Sequence, residues 1–118
     1  MRIELPLPNR TLSPNSRPHW SAKARATREA KDLVISAVLE QRARGKPLAQ
    51  AIVTVRFVLP NNRRRDHGNL IAASKAYLDG LVDAGVIEDD DWKHIKENYP
   101  PLEFKKGVSK TIIEVNDA

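Results

Sequence analysis

Residues 49–60, AQAIVTVRFVLP, contain the clearest strand of the sequence. Their side chains alternate between two faces, and this period of two is typical of a β-strand. One face carries Val53, Val55, Phe57 and Leu59, and the other carries Ile52, Thr54, Arg56 and Val58. Pro60 and the two asparagines after it end the strand, because proline has no amide hydrogen to donate to a sheet.

A helix is predicted on each side of this strand. The first begins at Ser21, a residue type that caps helices, and ends before Gly45 and Pro47. Its apolar stripe consists of Ala30, Leu33, Val34, Ala37 and Val38. The second covers residues 70–84, LIAASKAYLDGLVDA, and ends at Gly85. Its stripe consists of Leu70, Ala73, Tyr77, Leu78 and Leu81, which places Tyr77 in the core.

Three further strands complete the predicted fold. They are RIELP at 2–6, WKHIKENYPP at 92–101 and KTIIEVN at 110–116, and a proline-rich loop occupies residues 7–18. The order is β-α-β-α-β-β, which predicts a small α+β domain with a mixed β-sheet and two main helices. A chain of 118 residues is expected to form one such domain over residues 1–118.

The composition narrows the functional class. Hydrophobic residues make up 41% and charged residues 30%, as in a globular protein. The net charge of +5 favours a polyanionic partner, nucleic acid first and an anionic membrane surface second, although a basic protein without such a partner is the alternative. The absence of cysteine excludes disulfides and thiolate zinc sites. No apolar leader or membrane-length run is present, so a cytoplasmic protein without a membrane partner is predicted.

Two runs of opposite charge flank the second helix. NRRRDHGN, residues 62–69, precedes it, and EDDDW, residues 88–92, follows it. Fifteen helical residues span roughly 22 Å, so the acids at the two ends cannot meet across the helix itself. They meet only if the chain after Gly85 folds back along the helix. A following strand that runs antiparallel beside the strand at 49–60 would allow this.

Converging carboxylates beside arginines have a specific chemical interpretation. Magnesium prefers oxygen ligands, and a bound magnesium ion polarises a phosphodiester and acidifies water. In this interpretation Arg63, Arg64 and Arg65 neutralise phosphates, and Lys75 stabilises charge that develops in the transition state. The alternative assigns Asp66 to a helix N-cap, the acid run to a solvated turn and the arginines to an exposed face.

Residues 63–92, RRRDHGNLIAASKAYLDGLVDAGVIEDDDW, resemble the core of the RusA family of Holliday junction resolvases. The family pattern is a basic run, D-x-D-N-L, a helix with a lysine and an L-D-G/A-L segment, and then A-G-V followed by a D-D run. Residues 5–26, LPLPNRTLSPNSRPHWSAKARA, also resemble the proline-rich opening of the family and its HW pair before a basic helix. The likeness runs from about residue 3 to the last strand.

The resemblance implies a homodimeric, magnesium-dependent endonuclease that cuts symmetrically across four-way DNA junctions. Asp66 matches the first Asp of D-x-D-N, Asn69 its Asn, and Lys75 the helical lysine. Asp90 matches the later catalytic Asp, with Asp89 beside it. The implied catalytic residues are Asp66, Lys75 and Asp90, and the implied magnesium ligands are Asp66, Asp89 and Asp90. The implied DNA contacts are Arg63, Arg64, Arg65, Asn69, Lys23, Arg25 and Arg28.

One position departs from the family pattern. Gly68 stands where the second Asp of D-x-D-N is expected, which removes one carboxylate from the site. Two alternatives to a nuclease therefore stay open. In the first, a protein of the same fold binds branched DNA without cutting it efficiently. In the second, the chain is a small basic RNA-binding protein, but this alternative leaves the acid run unexplained.

Aromatic and histidine residues near the charged runs also need an interpretation. Trp20 either stacks on an exposed base, with His19 near a phosphate, or packs beneath the first helix as a hydrophobic staple, and packing is the favoured prediction. Trp92 is expected in the core or in a dimer interface. His94 has no sequence partner at a metal-ligand spacing and is predicted to be structural.

Overall fold

A computed structural model of the chain describes residues 1–14, 16–41 and 45–118. The elements are β1 (Arg2–Leu5), a 3₁₀ helix (Arg10–Leu12), α1 (Trp20–Glu40), β2 (Ala51–Leu59), α2 (His67–Ala73), α3 (Lys75–Asp83), β3 (Ile95–Asn98), β4 (Glu103–Phe104) and β5 (Lys110–Asp117). The predicted class, a small α+β fold with a mixed sheet, is confirmed.

The strand at 49–60 lies inside the sheet, where it is β2. The sheet order is β1-β5-β2-β3, and β4 also pairs with β2. Strand β5 is antiparallel to both β1 and β2, whereas β3 and β4 are parallel to β2. Strands β1, β2 and β3 therefore all run in the same direction, and their carboxyl ends lie at the same edge of the sheet.

Helices α1 and α3 pack against each other and run in the same direction. A Cβ atom on Gly80 would lie 2.8 Å from the Cβ of Val34, so only glycine allows this close approach. One turn further along each helix, Ala84 and Val38 line the same cavity. The largest fully buried side chains of the core are Phe57, Leu78, Leu81, Ile87, Ile113, Val34, Val53 and Val55.

Ion pairs link neighbouring strands on the opposite face of the sheet. Arg56 donates to Glu103 at 2.9 Å and to Glu114 at 3.1 Å, and Lys110 pairs with Glu4. Arg56 and Lys110 on this face of the sheet are thus paired with carboxylates of neighbouring strands.

The predicted second helix is two helices, α2 and α3, because Ser74 interrupts it. The buried Ser74 hydroxyl donates to the carbonyl of Ile71 at 2.7 Å, and its N–H bonds to the carbonyls of both Leu70 and Ile71. A serine hydroxyl that bonds the preceding turn competes with the regular helix pattern and tightens the backbone. The predicted end is confirmed, since Gly85 has a φ of 76° and follows the last turn of α3.

The first helix begins earlier than predicted, with its N-cap two residues before Ser21. Its N-cap is His19, whose Nδ1 accepts the N–H of Ser21 at 3.2 Å, so the assignment of Ser21 as the cap is wrong. The buried positions of α1 are Ala26, Ala30, Val34 and Val38. Leu33, which was predicted on this stripe, is 42% exposed because the stripe follows the i, i+4 row of the helix.

Candidate nucleic-acid interface and acidic site

The parallel pairing of β2 and β3 separates the two charged runs. Residues 88–91 precede β3 and lie at the amino end of β2, where Ile87 bridges to Leu48 and the N–H of Glu88 bonds to the carbonyl of Leu48 at 3.0 Å. Asp66 follows the carboxyl end of β2. The nine residues of β2 extend over roughly 26 Å. The strand that follows the acid run, β3, is parallel to β2, so the antiparallel return that would have brought the two runs together is not formed by this strand.

Positive side chains collect at the carboxyl ends of β1 and β2. The loops after both strands, the first half of α1, the first turn of α2 and the turn after β4 all lie here. The N–H of Lys105 bonds to the carbonyl of Leu59 and that of Gly107 to Pro60, which brings the turn after β4 to this edge. We call this region the basic end, and its cations are Arg10, Arg17, Lys23, Arg25, Arg28, Arg63, Arg64, Arg65, Lys105 and Lys106.

The charge of the basic end is not compensated within the described part of the chain. None of its cations forms an ion pair with a described carboxylate, and Arg65 donates instead to the amide oxygen of Asn61 at 3.2 Å. Two helix N-termini add partial positive charge at the same edge. Ligands commonly bind at the carboxyl ends of the strands of a parallel β-sheet. Because this end of the sheet is positively charged, it favours an anionic ligand.

Asp66 caps α2, as the structural alternative predicts. Its Oδ1 accepts the N–H of Asn69 at 3.1 Å, and the residue remains exposed. A cleft of about 540 Å³ beside it is lined by Arg64, Arg65, Asp66, His67 and Gly68. The arginines and Asp66 thus share one concave surface.

Gly68 lies where a second carboxylate would stand next to the first. A Cβ atom on Gly68 would lie 3.3 Å from Oδ1 of Asp66, so a side chain at this position starts beside that carboxylate. The neighbouring His67 packs edge-on against Phe57, and its Nε2 is buried without a hydrogen-bond partner among the described residues. The basic end therefore carries one carboxylate at the point where the family pattern has two.

The acid run forms a separate site with α3. Asp90 lies in hydrogen-bonding contact with Asp79, and Asp89 is also close to it. The contact with Asp79, together with partial burial, raises the pKa of Asp90 to about 6. Two adjacent carboxylates repel each other when both are ionised, and a bound cation relieves that repulsion. Sequence reasoning missed Asp79, although its position four residues after Lys75 on a helix was a usable signal.

Asp91 is engaged in its own turn. Its Oδ1 accepts the N–H groups of Lys93 and His94, and it lies 2.6 Å from Nδ1 of His94. This contact raises the pKa of His94 and lowers that of Asp91. The ligand atoms of Asp89, Asp91 and His94 all lie within 4.8 Å of one another, so the prediction that His94 has no partner at a metal-ligand spacing is wrong.

Lys75 is held by residues of and after β3. Its Nζ donates to Glu97 and to the Oη of Tyr99, the latter at 3.2 Å. Burial lowers the pKa of Lys75, but the hydrogen bonds to Glu97 and Tyr99 outweigh that effect and the pKa is raised. Lys75 and Asp79 are one turn apart on α3, so they lie on the same side of the helix. The structure thus places Asp89 and Asp90 against α3, the helix that carries both Asp79 and Lys75. Asp66 lies toward the other end of β2 and is not brought to them.

Both tryptophans are exposed. Trp20 is 76% and Trp92 84% exposed, so the prediction of a packed Trp20 staple is wrong and Trp92 is not in the core. Side chains of a helix point toward its N-terminus, and Trp20 is the first residue of α1, so its indole extends beyond the helix end. The core position of Tyr77 is confirmed, and its hydroxyl donates to the carbonyl of Pro6 at 2.8 Å.

No family model matches the chain. Over 92 residues it is 32% identical to a protein of Xylella fastidiosa (strain Temecula1 / ATCC 700964) that is described as uncharacterized. The match covers 74% of this chain and 59% of that protein, so the chain spans less than two thirds of the relative's length. None of the described helices combines the length and hydrophobicity needed to cross a membrane.

Proposed function

We propose that this protein is a magnesium-dependent, structure-specific endodeoxyribonuclease of the RusA type that binds and cuts four-way DNA junctions. The observation that carries the proposal is the basic end, whose cations are exposed except for the half-buried Arg65 and form no ion pair with a described carboxylate. Such a surface attracts phosphates, and phosphate contacts position a protein on DNA. The substrate would be encountered in the cytoplasm of a bacterial cell.

The acidic site supports the hydrolytic part of the proposal. Asp79, Asp89 and Asp90 offer only oxygen donors, the set that magnesium prefers, and the contact with Asp79 together with partial burial raises the pKa of Asp90. Asp91 is less suited, because its Oδ1 already accepts hydrogen bonds from its own turn. When bound, magnesium supplies a polarised phosphoryl oxygen and an acidified water.

The residues of this chain have separable roles in the proposed reaction. The pKa of Asp90 is raised to about 6, so below that pH a cation would have to displace a proton from this carboxyl. Lys75, held by Glu97 and Tyr99, presents a positive charge on the same side of α3 and would stabilise a developing phosphoryl charge. Arg63, Arg64 and Arg65 would hold the flanking backbone.

A homodimer belongs to the same proposal. Symmetric incision of a four-way junction calls for two equivalent sites, and a two-fold dimer supplies them. Sedimentation at micromolar concentration tests this point separately, because a monomer of about 13 kDa would contradict it.

A second candidate function is binding of branched DNA with little or no cutting. Two observations favour it. Gly68 leaves Asp66 without a neighbouring carboxylate at the basic end, and Asp66 and Asp90 lie toward opposite ends of β2. In this case the basic end retains its affinity, and the acids contribute no hydrolysis.

A synthetic four-way junction separates these candidates. The protein is incubated with the junction and with a linear duplex of matched sequence, with magnesium or with a chelator, and both binding and strand scission are measured. We expect binding in both conditions and scission of the junction only with magnesium. Asp90→Asn should abolish scission and preserve binding. Asp32→Asn is the matched control, because it makes the same substitution at an exposed residue of α1, and it should preserve both scission and binding. Binding without scission supports the second candidate, and preference for single-stranded RNA contradicts both.

A further inference from the structure

The two exposed tryptophans stand in opposite electrostatic surroundings. Trp20 begins α1 at the basic end, and Trp92 directly follows the acid run 88–91. We propose that Trp20 is a stacking platform for an unpaired DNA base, such as one unstacked at a branch point. This inference rests on the proposed function, because it specifies which part of a DNA substrate the basic end holds.

Charge distinguishes the two indoles as binding surfaces. Arg17 and Lys23 lie within three residues of Trp20 in sequence, and neither pairs with a described carboxylate. A base can reach Trp20 while its phosphates lie near these cations. At Trp92, the phosphates of the same strand would face the acid run, and the ammonium of Lys93 already lies 5.7 Å from the ring centroid. A polyanion therefore favours Trp20 over Trp92.

His19 supplies a phosphate donor beside the indole. Its Nδ1 accepts the N–H of Ser21 and lies 2.7 Å from the Ser21 hydroxyl, so the proton of the neutral ring is on Nε2. The two ring centroids of His19 and Trp20 are 5.5 Å apart with a tilt of 36°. An N–H donor and an aromatic platform thus stand side by side at a helix N-terminus, which matches the mixed phosphate and base contacts of single-strand-binding surfaces.

The chain has two tryptophans, and each can be observed alone. Trp92→Phe leaves Trp20 as the only tryptophan, and Trp20→Phe leaves Trp92. Each variant is titrated with oligothymidylate, with a four-way junction and with a linear duplex, while tryptophan emission is recorded. We expect strong quenching of Trp20 by oligothymidylate and by the junction, weaker quenching by the duplex, and little change of Trp92 with any of them.

Affinity provides an independent measurement. Trp20→Ala should weaken binding of oligothymidylate by about tenfold to a hundredfold, Trp20→Phe by less, and Trp92→Ala should leave it unchanged. Quenching of Trp92 instead of Trp20, or equal affinity of Trp20→Ala and the unaltered protein, would overturn the inference. In the second case, salt-sensitive junction binding that survives in Trp20→Ala would leave the proposed function intact. If the unaltered protein binds no DNA at all, both the inference about Trp20 and the proposed function are rejected.

Discussion

The loop before α2 and the loop before β3 carry opposite charges, and their charged side chains make different kinds of contact. In the first, Arg63 and Arg64 are exposed, the half-buried Arg65 donates to Asn61, and the one carboxylate, Asp66, caps its own helix. In the second, carboxylates lie against one another, and the contact of Asp90 with Asp79 raises a pKa to about 6. The first loop is complementary to an anion outside the protein, and the second is complementary to a cation.

The two loops are also separated by the topology that connects them. Residues 67–83 form the crossover helices between the parallel strands β2 and β3, so one loop lies at each end of the sheet. A DNA duplex held at the basic end therefore reaches the acidic site only if it extends along the protein or if a second copy contributes. Variants that change one loop and leave the other intact can test this separation.

The largest expected effect is on DNA affinity. Replacing Arg63, Arg64 and Arg65 by glutamine should weaken junction binding at every salt concentration. If the unaltered protein neutralises about six phosphates, its affinity for the junction falls about a thousandfold between 50 and 200 mM salt. The triple variant would neutralise about three phosphates, so its affinity falls only about fortyfold over the same range. Fluorescence anisotropy at several salt concentrations measures both slopes.

A matched triple variant near the opposite end of β2 is the control. Lys46, Lys93 and Lys96 are exposed, and their replacement by glutamine removes the same charge. An equal loss of affinity in both triple variants would show that only net charge matters, and the distinction between the two loops would fail.

A smaller effect is expected on cleavage. Gly68→Asp places a carboxylate beside Asp66 and should raise magnesium-dependent scission about tenfold, which requires about 1.4 kcal/mol of transition-state stabilisation. Gly68→Asn is the uncharged control of similar size. If Gly68→Asp changes nothing while Asp90→Asn abolishes scission, the basic end binds DNA and the acidic site alone supports hydrolysis.

The smallest effect is on stability and concerns the acidic site. Because Asp90 has a pKa of about 6 in the folded protein against 3.8 for a free carboxyl, the folded state binds the proton more tightly, and stability falls as pH rises from about 4 to 6. Asp79→Asn removes the repulsion and should raise the melting temperature at pH 8 by up to about 4 °C, since a partly exposed pair contributes about 1 kcal/mol or less.

The same melting experiment tests the cation. Little change is expected for Asp79→Asn at pH 4, because Asp90 of the unaltered protein is protonated there and the repulsion from Asp79 is already absent. Magnesium at pH 8 should stabilise the unaltered protein and have little effect on Asp90→Asn. Equal stabilisation of the Asp90→Asn variant would argue against magnesium at this site, and Asp32→Asn again serves as the control.

Local patterns predicted most of the elements but missed some of their ends. The alternation at 49–60 correctly indicated β2, and Gly85 correctly marked the end of α3, because both depend on neighbouring residues. The break at Ser74 was missed, because the hydroxyl of a serine in a helix either points to solvent or bonds to the backbone of the preceding turn. Only the hydrogen bond to Ile71 in the structure shows that Ser74 bonds to the backbone. The cap at His19 was missed because histidine is not a usual N-cap residue.

The sequence by itself determined that this is a small, basic α+β protein with two opposite charge runs, because composition and short-range periodicity specify those properties. Only the tertiary structure decided where the runs lie. Antiparallel and parallel returns after Gly85 satisfy the same hydrophobic pattern, and the pairing of Ile95 with Ala51 selects the parallel one. That long-range pairing moves Asp66 away from Asp90 and gives Asp90 the partner Asp79.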